Sequence, residues 1–102
     1  MGTWDLRFGN NDAAKGWEQV CCHAPGPAHD AWVHMMATPR ERDQRHHPLR
    51  GGLATGCLDG RSMERWQIEV TGGGRVWYLV DDELHTVWLV SAGTGHPKET
   101  GG

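Results

Sequence analysis

The chain has 102 residues, 37% of them hydrophobic, which allows one domain with one modest core and excludes a barrel or separate cofactor and substrate domains. Ten Lys and Arg against 13 Asp and Glu leave a formal charge of −3, so net charge exerts no long-range pull on nucleic acid. Six tryptophans give so small a core large apolar surfaces to bury.

Trp4, Leu6 and Phe8 alternate with polar residues, the period of a half-buried strand. Gly9-Asn10-Asn11 breaks it, and Asn11 or Asp12 is placed to cap a helix. Ala13, Ala14, Trp17, Val20 and Cys21 then form one apolar helical stripe. Gly16 inside it costs about 1 kcal/mol relative to Ala. Ala24-Pro25-Gly26-Pro27 stops that helix, and Pro27 starts a second carrying Ala28, Ala31, Trp32, Met35 and Met36 on one side, ended by Pro39. The pair predicts an antiparallel helical hairpin.

Residues 39–62 are polar and rich in arginine, a long connection of the kind that often carries function, with a short strand expected at Leu49–Leu53. Trp66, Ile68 and Val70 then alternate with Arg65, Gln67 and Glu69, and Thr71-Gly72-Gly73-Gly74 supplies a hairpin turn. Arg75–Val80 is apolar on both faces and reads as a central strand. Asp81-Asp82-Glu83 turns the chain into a third strand, Thr86–Val90. The fold class is α+β: an N-terminal strand and a two-helix hairpin packed on a C-terminal antiparallel β-meander, one domain over residues 1–102. The helices should cover one sheet face and leave Arg65, Gln67, Glu69 and Arg75 on the other.

Three cysteines, two of them adjacent, give no disulfide framework and read as reduced thiols. Residues 1–20 lack the basic and apolar regions of a signal peptide. The longest apolar run, Val76–Val80, falls far short of the ~20 residues of a membrane span. A soluble cytoplasmic protein with no membrane contact is expected.

Cys21-Cys22-His23 and His29 lack the paired spacing of a zinc site, so no metal is expected. Thr71–Arg75 lacks the phosphate-loop pattern, and Asp81-Asp82-Glu83 reads as a solvated turn. The arginines say more. Arg65 and Arg75 should sit at facing ends of two joined strands, with His47 and Arg50 on the preceding loop and His96 after the last strand. Guanidinium groups beside imidazoles suit phosphodiester cleavage, since arginine stabilises phosphorane charge and an imidazole exchanges protons near neutral pH. The competing expectation is surface arginines paired with Glu64, Glu69 and Asp59.

The segments His47-Pro-Leu-Arg-Gly51, Glu64–Val70, Gly74-Arg-Val-Trp-Tyr78, Val80-Asp-Asp82 and Gly95-His-Pro-Lys98, with the helical hairpin, resemble the RelE/ParE toxin superfamily over nearly the whole chain. The resemblance implies a RelE-like domain that is the toxin of a type II toxin–antitoxin module. Its RelE-like branch cleaves mRNA on the ribosome without metal or other cofactor, by attack of the 2′-OH on its own phosphate. Carried over residue by residue, it implies His47, Arg65, Arg75 and His96 as catalytic, with Arg50, Trp77 and Lys98 binding substrate. The implied partners are a cognate antitoxin, the ribosome and mRNA, with no small-molecule cofactor. Two positions depart from the family pattern: His47 stands where a general-base carboxylate is usual, and Pro97 where a terminal Tyr follows the histidine. Two alternatives are a ParE-like inhibitor of DNA gyrase and a binding module that keeps only the antitoxin interface.

Overall fold

A computed structural model describes residues 2–94. Strand β1 spans Asp5–Phe8, helix α1 Asn11–His23 and helix α2 Pro25–Ala37. β2 (His46–Pro48), a 3-10 turn (Gly51–Leu53), β3 (Thr55–Leu58), β4 (Arg61–Glu69), β5 (Arg75–Asp81) and β6 (Thr86–Gly93) follow. β4, β5 and β6 form the expected antiparallel meander, and β1 joins its edge parallel to β6, with Asp5 opposite Thr86. The sheet order is β1-β6-β5-β4-β2, with β3 also on β4.

The α1 cap is Asn10, one residue earlier than expected. Its extended backbone (φ −160°) lets the side chain accept from the Ala13 N–H at 2.7 Å, satisfying a donor the first turn leaves free. Ala24 closes α1 and opens α2, so α2 starts at Pro25 rather than Pro27; a proline at the first helical position loses no bond. The core is one layer thick between helices and sheet. Trp17, Val20, Ala28, Ala31 and Met35 pack on Trp66, Ile68, Val76, Tyr78, Val87 and Leu89, all buried.

The connection expected to hold a strand at Leu49–Leu53 holds two others instead. β2 and β3 run end to end along the same edge of β4. Between them the chain bulges out at Gly51 (φ 60°) through the 3-10 turn. At that gap the Arg65 N–H donates to the Ala54 carbonyl, and the Arg65 carbonyl accepts from the Leu49 N–H. Leu49–Leu53 is therefore the interruption of an edge strand. Asp59 (φ 53°) and Gly60 (φ 77°) make the β3–β4 turn, the left-handed pair that an Asp-Gly hairpin favours.

The acidic turn is not solvated at its first residue. Asp81 is 1% exposed and accepts from both terminal nitrogens of Arg61 at 2.6 and 3.0 Å, from the Trp88 indole at 3.0 Å and from the Leu84 N–H at 3.2 Å. Arg61 first, aided by the indole and backbone donors and opposed by burial, holds its carboxyl well below the usual carboxylate range. Arg40 spans Glu64 and Asp82 alongside and keeps both carboxylates ionised below their ordinary range.

Helix α2 is tied to β2 by two stacked imidazoles, His34 and His46, with ring centroids 3.4 Å apart. His46 Nδ1 lies 2.7 Å from Asp43, and neither Nε2 has a hydrogen-bond partner among the described residues. Burial, then the neighbouring His46, lowers the His34 pKa, against weaker opposing effects of Asp43 and Glu41. A histidine that charges more readily when unfolded stabilises the fold above its unfolded pKa of about 6.5 and loses that contribution as pH falls below it. Thermal stability should therefore fall as pH drops through and below about 6.5, and His34→Gln should flatten the fall. Equal declines in parent and variant would remove His34 as the cause.

Candidate functional site

Strand alternation places Arg65, Gln67 and Glu69 of β4 on the face away from the helices, as expected, where their cross-strand partners are Leu79, Trp77 and Arg75. Only part of that face is open. Toward β3 it is closed, with Met63, Leu79 and Asp81 buried. The register also changes the expected geometry of the two arginines. Arg75 starts β5 opposite Glu69, but β4 begins at Arg61, so Arg65 sits mid-strand. The two arginines are four ladder positions apart, about 13 Å at ~3.3 Å per residue, with Gln67 and Trp77 between them.

Arg65 lies in a slot kept clear by Gly56: a Cβ there would come within 2.7 Å of Arg65 Nη2 and 2.9 Å of Leu79 Cδ2. From that slot the guanidinium packs over the Trp77 ring, 5.5 Å from its centroid, a cation–π contact. Its Nε is buried without a hydrogen-bond partner among the described residues. Arg50 caps the 3-10 turn beside the Arg65 ladder gap, exposed. Arg75 is exposed as well.

Alternation separates the neighbouring histidines. His46 turns to the helices, while His47 is exposed on the open side, 3.4 Å by its Nε2 from Gln67 Nε2. Gln67 Oε1 in turn accepts from the Trp77 indole at 2.8 Å. The structure therefore joins His47, Trp77 and Arg65 in one continuous row, with Arg75 beyond Trp77 on the same strand. His96 and Lys98 lie outside the described residues. Sequence reasoning placed Gln67 on this face but gave it no role; its signal is the direct pairing with His47 and Trp77, which only the register reveals. Tyr78, at the end of the Gly74-Arg-Val-Trp-Tyr78 segment, faces inward and donates from its buried hydroxyl to the Pro39 carbonyl at 2.6 Å. It fixes the loop after α2 and is withheld from any surface chemistry.

The ion pairs account for the acidic balance. Arg7, Arg40 and Arg61 are paired with Asp5, Glu64, Asp82, Asp81 and Glu83. Among the described residues no ion pair engages Arg50, Arg65 or Arg75, and Glu64 is taken by Arg40 rather than by them. A net negative chain thus leaves Arg50, Arg65 and Arg75 outside the ion pairs of the described residues, with Glu69 across the ladder from Arg75 on the same face. Also among the described residues, no group of three His, Cys, Asp or Glu side chains is placed to hold a metal ion, and no helix is long and apolar enough to cross a membrane.

No protein-family model and no curated protein sequence matches the chain. Two solved structures share its architecture. A metal-bound toxin from Helicobacter pylori superposes with a TM-score of 0.62 at 15% identity, covering 88% of this chain and 92% of that one. The toxin–antitoxin complex RelBE2 from Mycobacterium tuberculosis gives 0.51 at 22% identity, covering 90% and 91%. The chain has the RelE-like α+β fold of these toxins.

Proposed function

We propose that this chain is the toxin of a type II toxin–antitoxin module and cleaves mRNA on the ribosome, in the cytoplasm, under control of a cognate antitoxin. The observation that carries this reading is the row His47–Gln67–Trp77–Arg65 with Arg75 beyond it: a proton acceptor, an aromatic platform and two arginines that form no ion pair among the described residues, on one open sheet face. In the reaction, His47 Nε2 takes the proton of a ribose 2′-OH as its oxygen bonds to the adjacent phosphorus. The bond to the 5′-oxygen breaks, leaving a 2′,3′-cyclic phosphate and a 5′-hydroxyl. Arg75 and Arg65 stabilise the charge gathering on the phosphorane oxygens. Trp77 offers a face on which a base can stack, Arg50 and Lys98 contact the backbone, and His96 returns a proton to the leaving oxygen.

The test is induction of the chain alone in a bacterial host, followed by single-turnover cleavage on a programmed ribosome. Growth arrest with new 5′ ends inside coding regions is expected. Arg75→Ala, at an exposed position, should keep the fold and slow cleavage on the order of 10²–10³-fold, the usual loss of one preorganised oxyanion donor. Folded Arg75→Ala cutting as fast as the parent would remove the arginine from the site. Arrest with DNA breaks and intact transcripts would mark a gyrase inhibitor instead, and no arrest from soluble protein a binding module.

A further inference from the structure

His47, Gln67 and Trp77 face one another across three strands, His47 paired with Gln67 on β4 and Gln67 with Trp77 on β5. Both ends of the hydrogen-bond chain have fixed polarity. An indole N–H only donates, so the Gln67 atom 2.8 Å from Trp77 Nε1 is its oxygen, and its NH2 is the group facing His47 Nε2 at 3.4 Å. At the other end His47 Nδ1 lies 3.3 Å from the Pro48 carbonyl, which only accepts. Nδ1 must therefore carry the proton, and Nε2 must be the acceptor.

We infer that Gln67, oriented by Trp77, is a positioning residue that selects the tautomer of His47, with the proton on Nδ1 and the lone pair on Nε2. This placement of the proton stands on geometry alone; its consequence for rate rests on the cleavage reading. In the free chain the amide covers the lone pair, and a ribose hydroxyl that takes its place meets a nitrogen already in the form that accepts a proton. The neighbours of His47 thereby choose which of its two nitrogens accepts.

Long-range 15N NMR of the imidazole, recorded with the ring neutral, reads this directly. The parent should show a protonated Nδ1 and a bare Nε2 at His47. Gln67→Glu keeps an acceptor for the Trp77 indole but turns the other oxygen toward His47, so Nε2 should gain a proton. Its cleavage should slow on the order of 10²-fold in kcat, the low end of a general-base contribution, with KM little changed. Trp77→Phe frees the amide to turn over, and both tautomers should appear. A parent ring protonated on Nε2, or a Gln67→Glu ring unchanged from the parent, would overturn the inference. The expected tautomers in a chain that cleaves no RNA would uphold the inference and overturn the cleavage reading.

Discussion

Asp81→Ala should destabilise the fold by about 2–3 kcal/mol, because it removes a buried carboxylate that accepts several charge-assisted and neutral hydrogen bonds. The carboxylate is 1% exposed while Arg61 is 32% exposed. Its loss leaves the Trp88 indole and the Leu84 N–H without their acceptor, and leaves Arg61 with only the exposed Glu83 at 3.3 Å. Denaturant unfolding at neutral pH measures the loss, and a change under about 1 kcal/mol would reduce the cluster to an ordinary surface pair. The same carboxyl sets an acid limit. Its folded pKa lies below the unfolded value of about 3.9, so its contribution is complete above that pH and disappears as pH falls through the folded value. It therefore fails in a more acidic range than the His34 contribution.

Gly16→Ala should be comparably damaging, by about 3 kcal/mol or more, at the upper end of overpacking effects. A Cβ on Gly16 would stand 1.9 Å from the Ala92 carbonyl oxygen and 2.7 Å from its carbon. Both are backbone atoms of β6, so α1 must lift off the sheet to admit the methyl group. The helix-propensity gain of about 1 kcal/mol from Gly to Ala is far too small to offset that. Equilibrium unfolding decides the sign. A variant as stable as the parent would show that helix and strand are farther apart than the structure has them.

Gly16 also shows where reading the sequence succeeds and where it stops. Periodicity located both helices and the three meander strands, because one-sided burial writes a 3.6 or 2 residue rhythm into apolar positions. It gave Gly16 the wrong sign, since the cost of a side chain there lies in a strand more than seventy positions away in the chain. It missed β2 and β3, which are short and interrupted at Arg65, although Asp59-Gly60 was a legible hairpin signal. It put Arg65 and Arg75 on the correct face but too close together, because face follows from alternation whereas distance needs the register. The buried Asp81 shows the same limit: composition marks a turn, while burial depends on Arg61 and Trp88 arriving from other strands.

The parallel pairing of β1 with β6 has a consequence for how the molecule comes into being. During synthesis Asp5–Phe8 is made some eighty residues before the strand it pairs with, Thr86–Leu89. Until then α1, which packs on β6, lacks the surface it covers, and the face of Trp17 and Val20 stays in water. Contacts this distant in sequence close slowly, so β1 and α1 wait for β6 before they can dock. The open face with its arginines lies on β2, β4 and β5, so its residues are all in the chain before β6 arrives to hold β1 and α1 on the sheet.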